Sequence, residues 1–332
     1  GTYVITYNVS DAAGNAATEV TRTVEVVLPI DARNYEFELQ WGSFRLQPGI
    51  MTAPYGLAFA SDGKLLVSDG DSSRVQAFLP DGSFSDVLYQ GTSTIGGIST
   101  NGAGDIYMGM VFGDEIVKLN SSGQVILRWG SSGSGDGQFS MPFGAVEADG
   151  VVYVIDNGNN RIQTFDTGGN YTGQWGSFGT DTGEFNGPAG IAVAGDYVYV
   201  TDSGNNRIQK FNKGGVYQNS WGTAGSGENQ YNSPAGIWHD GTNLLIADQY
   251  NHRFQITSID GAFVGQFGTN GSGNGEFEAP FAAITDGDGN VYCGDLDNER
   301  VQKLNSAYAY ITDFGSGDFS SNGKFGKLIK GK

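Results

Sequence analysis

Aspartate and arginine recur through this sequence at a fixed spacing of five residues, so that five charge pairs repeat along the chain. In a sixth aligned copy both members are replaced together, by Met110 and Glu115. A catalytic role would need one copy that differs from the rest. Equal pairs that are lost jointly indicate a structural contact, in which Asp caps a turn and Arg binds it. The five pairs are Asp69/Arg74, Asp156/Arg161, Asp202/Arg207, Asp248/Arg253 and Asp295/Arg300.

The residue types that most often build catalytic centres are scarce. The chain has two histidines, His239 and His252, and a single cysteine, Cys293. Two histidines cannot supply the three protein ligands of a catalytic zinc site unless carboxylates assist. Cys293 aligns with apolar strand positions, which predicts a core residue. No nucleophile elbow, phosphate loop or carboxylate pair stands out from the repeats. We therefore predict no catalytic residue and no enzyme activity.

One loop resembles the beginning of a calcium site. Asp286, Asp288 and Asn290 offer oxygen ligands, but no Glu follows at the spacing of an EF-hand loop. The loop falls where every copy has its first hairpin turn, so we favour a plain turn and predict no cofactor, with calcium as the alternative. Acidic residues also recur in the connectors between repeats and could bind cations as a rim on one face: Asp136, Glu184, Glu228, Glu276 and Asp318.

Composition excludes several classes of protein. The 36 acidic side chains against 18 basic ones give a net charge of −18, which argues against nucleic-acid binding. With 54 glycines a helical bundle is excluded, and 12% aromatic residues are enough to build a core. No apolar run reaches the roughly 18 residues of a membrane span, so we predict no membrane insertion. The acidic, Lys-poor, nearly Cys-free composition is typical of a bacterial or archaeal protein at the cell surface or outside the cell.

These pairs belong to a repeat of about 46 residues. The aligned position reads Asp69, Met110, Asp156, Asp202, Asp248 and Asp295, in steps of 41, 46, 46, 46 and 47. Each copy carries four alternating segments separated by turn residues, which predicts four short antiparallel strands. Six such units at this period predict an all-β fold, a six-bladed β-propeller.

The repeated strings are similar to those of the NHL-repeat family. Pro188 to Ile191 and Pro234 to Ile237 show the P-x-G-I element, and N-x-R-I-Q-x-F follows the aligned Asp. The resemblance implies a propeller but no single function, since relatives include scaffolds, RNA and protein binders and a zinc-dependent peptide-amidating lyase. Streptogramin-lyase-like propellers need a catalytic His, and gluconolactonase-like propellers hold calcium with Glu, Asn and Asp. No unique set of either kind stands out here.

Residues 1–28 do not belong to the repeats. Alternation predicts two strands, Tyr3–Val9 and Glu19–Val27, and the segment resembles the last hairpin of a bacterial immunoglobulin-like domain of the HYR type. A lone hairpin is marginal in water. Either the rest of that domain lies upstream, or the hairpin adds to another subunit's sheet or packs on the propeller. Residues 29–34 are a predicted linker. The candidates for self-association here are Tyr3, Val4, Ile5, Tyr7, Val9, Val24 and Val26.

The predicted propeller, residues 35–316, has one strand too many. Tyr35–Trp41 matches the fourth-strand signature although all six repeats, including Tyr308–Phe314, have their own. One of the two terminal copies is expected to seal the ring, and the other to lie outside it as an extra edge strand or to reach a neighbour. Residues 317–332 form a basic tail, in which Lys324, Lys327 and Lys330 are further candidates for self-association. Such a tail could dock on an acidic neighbour or remain solvated.

We expect an extracellular structural or interaction module of a prokaryotic surface protein. It would self-associate, as an array or filament subunit, or adhere through terminal strand addition and propeller docking. Its partners would be copies of the same chain or other surface proteins, with glycans as a further class. The alternative is a ligand-binding, lyase-type or lactonase-like propeller that uses a divalent cation at its acidic face.

Overall fold

The computed structural model of the chain describes residues 2–7, 20–25 and 47–316, with the backbone alone for the first two segments. The chain divides into two compact units, residues 1–42 and 43–332. In the first unit, strands Thr2–Tyr7 and Val20–Glu25 pair antiparallel, with Thr2 opposite Glu25 and Tyr7 opposite Val20. The predicted hairpin strands therefore pair, while their assignment to an immunoglobulin-like domain stays a prediction. Val9, Val26, the linker, strand 35–41 and the tail with Lys324, Lys327 and Lys330 lie outside the described residues.

The second unit is a β-propeller with six blades, as predicted from the repeat. Each blade is a four-stranded antiparallel sheet whose strands follow one another in the chain. From the inner to the outer strand the blades are: blade 1, Pro54–Phe59, Leu65–Asp69, Arg74–Phe78 and Phe84–Gln90; blade 2, Ile95–Thr100, Ile106–Met110, Glu115–Leu119 and Val125–Trp129; blade 3, Pro142–Ala148, Val151–Asp156, Arg161–Asp166 and Tyr171–Trp175; blade 4, Pro188–Ala194, Tyr197–Asp202, Arg207–Asn212 and Tyr217–Trp221; blade 5, Pro234–His239, Asn243–Asp248, Arg253–Ser258 and Phe263–Phe267; blade 6, Pro280–Thr285, Val291–Asp295, Arg300–Leu304 and Tyr310–Phe314.

The inner strands contact one another in a closed ring, and the inner strand of blade 6 lies against that of blade 1. Tyr310–Phe314 pairs with Arg300–Leu304, the strand before it in the chain, and is the outer strand of blade 6. This terminal copy therefore completes its own blade instead of crossing to blade 1. The seam between blades 6 and 1 is held by a hydrogen bond from the Met51 amide to the Gly315 carbonyl (2.7 Å) and by packing of the Phe78 ring on Phe314 at 5.0 Å.

Antiparallel strand order gives the propeller two faces. The connectors between blades and the turns from second to third strands lie on one face, which we call the connector face. The remaining turns, from first to second and from third to fourth strands, lie on the opposite side, the hairpin face. Three of the connector-face turns are single 3₁₀ turns: Asn157–Asn159, Ser203–Asn205 and Gln249–Asn251.

Neighbouring blades interlock through an aromatic residue on the outer strand. Trp129 of blade 2 packs on Phe165 of blade 3 with ring centroids 5.9 Å apart. The next blade makes room with a turn glycine. A Cβ on Gly215, which has φ +79°, would lie 2.6 Å from the Trp175 ring. Some of the many glycines are therefore needed so that neighbouring blades can pack closely.

Among the described residues, no helix is long and apolar enough to cross a membrane. The core is divided among the spaces between blades. Cys293 is fully buried there, and burial raises the pKa of its thiol well above the usual value. Its position in the core agrees with the role predicted from its alignment with apolar residues.

Candidate functional site

The repeated Asp and Arg hold the connector that enters each blade. In blade 3, Oδ1 of the fully buried Asp156 accepts a hydrogen bond from the Ser140 amide (2.8 Å). Its Oδ2 accepts one from Arg161 Nε at 2.7 Å. The other end of the guanidinium, Nη2, donates to the carbonyls of Gly135 (2.8 Å) and Gln138 (2.9 Å). Carboxylate and guanidinium together therefore fix the connector that runs from blade 2 to blade 3.

Two amide side chains complete this arrangement. Asn159 Nδ2 donates to the Gly133 carbonyl at 2.8 Å and to Asp156. Gln163 Nε2 donates to the Gln138 carbonyl at 2.7 Å, while its Oε1 accepts the Gly137 amide at 2.9 Å. We call Asp156, Asn159, Arg161 and Gln163 the connector clamp. Sequence reasoning missed the amides, although their fixed offsets of three and seven residues from the Asp were a usable signal.

The clamp recurs in four further blades. In each, Arg Nε lies 2.7–2.9 Å from the Asp carboxylate, and the Asp side chain is fully buried. Blade 1 carries Ser72 in place of the Asn, and there Asp69 accepts the Thr52 amide. All five predicted pairs are thus brought together. The other clamps are Asp69/Arg74/Gln76, Asp202/Asn205/Arg207/Gln209, Asp248/Asn251/Arg253/Gln255 and Asp295/Asn298/Arg300/Gln302.

Burial takes the clamps away from solvent. At Asp295, burial raises the pKa of the carboxyl group against the opposing effect of bonds from the Glu278 amide, Arg300 and Asn298. A carboxylate held by an Arg, an Asn, a Gln and a backbone amide has no free lone pair to offer a ligand. The repeated Asp and Arg residues therefore have a structural role, and any ligand at the surface would have to be bound by other residues.

Blade 2 lacks both the clamp and the connector that a clamp would hold. Met110, Gly113, Glu115 and Val117 occupy the four clamp positions. The chain passes from the outer strand of blade 1 to the inner strand of blade 2 through residues 91–94, whereas residues 130–141 join blades 2 and 3. Glu115 instead pairs with Arg128 at the surface (2.5 Å). The joint loss of Asp and Arg therefore accompanies a connector too short to need them.

A central cavity of about 220 Å³ lies within the ring of inner strands. All six blades line it, largely with aliphatic side chains such as Leu57, Ile98 and Ile191. Two of its hydroxyls are occupied, since Ser99 Oγ donates to the Ala145 carbonyl (2.7 Å) and Thr100 Oγ1 to the Phe59 carbonyl (2.8 Å). The ionisable residues in this lining are Tyr55 and His239.

Three aromatic rings close the cavity toward the connector face. Phe143 of blade 3 and Phe281 of blade 6 come from opposite sides of the ring and stack at 5.1 Å. Tyr55 of blade 1 meets both edge-on, at 5.9 Å and 5.2 Å. We call these three residues the aromatic plug. Sequence reasoning did not identify it, although an aromatic residue follows the first strand Pro in these three blades alone.

The two histidines lie at opposite ends of blade 5. His239 ends the inner strand at the hairpin face, whereas His252 lies in a connector-face turn, where its Nδ1 accepts the Ala279 amide at 3.2 Å. The five-residue strand step between the two faces is about 16 Å, so the imidazoles cannot share a metal ion. Within the described part of the chain, no three His, Cys, Asp or Glu residues are grouped to hold a metal.

The loop at Asp286 forms a turn stabilised by its own side chain. Asp286 Oδ1 accepts the amides of Asp288 (3.0 Å) and Asn290 (2.8 Å), and Oδ2 accepts Asn290 Nδ2 at 2.9 Å. Asp166 forms the same set of bonds in blade 3, which is the arrangement of an ordinary Asx turn.

The acidic residues of the connectors divide into two groups. Glu184 and Glu276 brace their own connectors, accepting the amides of Asp181 (3.0 Å) and Gly273 (2.9 Å). Asp136 and Glu228 are exposed on the connector face. Asp318 lies outside the described residues.

Comparison with known proteins supports the fold. Residues 185–211 match the NHL repeat. Similar solved structures include a streptogramin B lyase (14% identity, 94% of this chain and 87% of that chain, TM-score 0.59). They also include the virginiamycin B lyase from Staphylococcus aureus (14% identity, 81% and 85%, TM-score 0.56) and a gluconolactonase from Xanthomonas campestris (16% identity, 75% and 85%, TM-score 0.60). At such identities the likeness shows the propeller fold alone. Comparison with curated proteins finds no match.

Proposed function

We propose that the protein is a non-catalytic interaction module of an extracellular, prokaryotic surface protein, which associates with copies of itself or adheres to other surface proteins. The propeller serves as a rigid body, because its repeated charges are committed to the connector clamps. Its cavity offers two ionisable side chains, Tyr55 and His239, which come from opposite ends of their inner strands and so do not form a pair for general acid–base work.

The observation that carries this proposal is the pairing of Thr2–Tyr7 with Val20–Glu25. Within the described residues this is a two-stranded sheet, and neither strand pairs with a third. A hairpin of this size is marginal on its own, and its two edges present unpaired backbone donors and acceptors. Addition of a further strand from another copy satisfies both needs.

Deletion of residues 1–30 tests this proposal. We expect the shortened protein to be a monomer by light scattering at concentrations where the full chain forms larger species. A variant with all four tail lysines changed to Gln is the matched control and should keep the larger mass. An unchanged mass after deletion of residues 1–30 would refute association through these strands.

The second candidate function is a ligand-binding, lyase-type or lactonase-like activity that uses a divalent cation. It is favoured by the position of His239 in the cavity and by the lyases and the gluconolactonase among the similar structures. Elemental analysis of the purified protein would favour this candidate if a divalent metal were found in stoichiometric amount. His239→Ala should then abolish activity, whereas the control His252→Ala should alter stability alone.

A further inference from the structure

The two faces of the propeller differ in the cations they carry. Residues 47–316 contain 29 acidic and 11 basic side chains, and their five lysines all belong to the hairpin-face half of a strand or turn. There the lysines have acceptors: Lys64 binds Asp62, Lys118 binds Asp105, Lys210 binds Asp260, Lys213 binds Asp149, and Lys303 donates to the Pro80 carbonyl. The acidic residues of the hairpin face are thus partly neutralised.

On the connector face the basic side chains within residues 47–316 are arginines, and all have acceptors. Five belong to the connector clamps, and the sixth, Arg128, pairs with Glu115. Outside the clamps, Glu115 pairs with Arg128 and Asp313 lies 3.5 Å from Arg300, while Asp71, Glu278 and Asp297 form no salt bridge with a described Lys or Arg. Both faces are acidic, and the larger part of the acidic surplus of residues 47–316 lies on this side of the molecule.

Three exposed carboxylates of the connector face lie beside the aromatic plug: Asp71, Glu278 and Asp297. Burial, and then the carboxylates of Asp71 and Asp297 together with Tyr250, raise the pKa of the Tyr55 hydroxyl. Burial and the neighbouring Glu278 raise the pKa of the Asp297 carboxyl, although His252 acts in the opposite direction. The contributions of Asp71 and Asp297 to the first shift, and of Glu278 to the second, show that these carboxylates lie close to the Tyr55 hydroxyl and to one another.

Two tyrosine rings lie near these carboxylates. Tyr250 is 55% exposed, and Tyr55 is half-buried above the cavity. We call Tyr55, Asp71, Tyr250, Glu278 and Asp297 the mouth patch. Carboxylates beside exposed aromatic rings suit an ammonium group with neighbouring apolar side chains, since the ring face attracts a cation.

The chain itself supplies such a segment. Tyr310–Phe314 runs toward the connector face, and the Gly315 carbonyl accepts the Met51 amide between blades 6 and 1. Those are the blades that carry Asp297 and Asp71. The sequence then continues with Lys324, Lys327, Lys330 and Lys332, among which stand Phe325, Leu328 and Ile329, and no acid follows Asp318. Eight residues beyond Ser316 can extend about 26 Å, so the tether allows the first lysine to reach that far from the end of the described propeller.

We propose that residues 324–332 dock on the mouth patch of their own propeller, with the lysines at Asp71, Glu278 and Asp297 and the apolar side chains against the tyrosine rings. The short tether gives the segment an effective concentration on the order of 1 mM at this surface. Docking within one chain is therefore favoured over docking between copies at ordinary protein concentrations. This proposal is independent of strand addition by residues 1–28.

A competition experiment on the full chain tests it. A labelled peptide of residues 317–332 is titrated against the native protein and against a variant with all four tail lysines changed to Gln. If the peptide's Kd is about 0.1 mM, a tethered segment at 1 mM should weaken its binding to the native protein about tenfold relative to the variant. Equal affinity for the two proteins would overturn the proposal.

The location of the docking site is tested in the same variant, in which the four tail lysines are changed to Gln. Asp71→Asn with Asp297→Asn should weaken peptide binding and reduce its dependence on salt, because two carboxylates are removed. Asp196→Asn with Asp288→Asn makes the same change of charge on the hairpin face and should leave binding unchanged. Equal effects of the two pairs would overturn the assignment to the mouth patch. Competition that depends on the concentration of native protein would place the contact between copies and refute docking within one chain.

Deletion of residues 1–30 separates this proposal from the proposed function. The competition should survive the deletion unchanged, whereas the oligomeric mass should fall. Loss of the competition alone refutes the tail docking, and an unchanged mass alone refutes strand addition.

Discussion

Blades 2 and 3 are neighbours with the same four-stranded architecture, yet they differ at the connector face. Blade 3 holds its long connector with four buried polar side chains, while blade 2 fills the same positions with Met110, Gly113, Glu115 and Val117. The strands of blade 2 nevertheless pair, and Met108, Met110 and Val117 are buried in its core. The clamp is therefore dispensable for folding a blade and is required where a long connector must be held.

On the hairpin face blade 2 resembles blade 4, whereas blade 3 carries Thr164 at the aligned position. Lys118 of blade 2 and Lys210 of blade 4 occupy aligned positions, and each lies over an aligned tyrosine, 5.2 Å from the Tyr107 ring and 5.7 Å from the Tyr199 ring. Each also binds a carboxylate. Blade 2 therefore differs from blade 4 at the connector face and matches it in this hairpin-face contact, and this contrast can be tested by substitution.

The largest effect is expected for Asp156→Ala in blade 3. It leaves the guanidinium of Arg161 and the Ser140 amide without their buried acceptor, which should cost about 3–5 kcal/mol of unfolding free energy. Glu115→Ala at the surface of blade 2 should cost less than about 1 kcal/mol. Chemical denaturation of both variants measures the difference, and similar losses would contradict the proposed division of roles.

Met110→Asp, which rebuilds the first clamp residue in blade 2, should also destabilise the protein, by about 3 kcal/mol. The carboxylate would enter a buried site where no connector amide awaits it. Adding Glu115→Arg should recover part of the loss and no more, since the connector is still missing. Full recovery by the double variant, seen as a restored denaturation midpoint, would show that the pair is sufficient by itself.

A smaller effect is expected for Asn159→Ala, which removes a bond to the Gly133 carbonyl without leaving a buried charge. The cost should be about 1–2 kcal/mol. Hydrogen exchange should accelerate at the amides of Gly137 and Ser140, which the rest of the clamp holds less firmly. Amides in residues 91–94, before blade 2, serve as the internal control and should exchange as in the native protein.

The smallest effect concerns the similar hairpin faces. Burial lowers the pKa of Lys118 and of Lys210, but bonds to Asp105 or Asp260 and the neighbouring tyrosine hydroxyl outweigh it and raise both above 10.5. A raised pKa stabilises the folded state below pH 10.5, and this contribution is lost as the pH rises further. Lys118→Met and Lys210→Met should therefore each cost under about 1 kcal/mol at pH 7, and less above pH 11. Unequal costs in paired denaturation curves would show that the two hairpin faces differ as well.

The sequence was sufficient to predict the six blades and the five charge pairs, because both depend on local strings that recur at one period. It was insufficient for the aromatic plug, whose members are Tyr55, Phe143 and Phe281. Their contacts join three blades across the axis, and no local pattern encodes such a distance. The sequence does show that the step from Asp69 to Met110 is shorter than the others. That the shortening removes the connector which Asp and Arg hold in the other blades became evident only from the hydrogen bonds in the structure.

Ring closure has a mechanical consequence. Each blade is made from one continuous stretch, so within residues 47–316 no strand from one end of the chain is woven into a blade from the other end. The two ends of this region meet at the seam through the Met51–Gly315 bond and the Phe78–Phe314 contact. Tension between residues 47 and 316 would load these contacts first and then peel the blades apart in turn. A propeller with this connectivity would yield gradually under force.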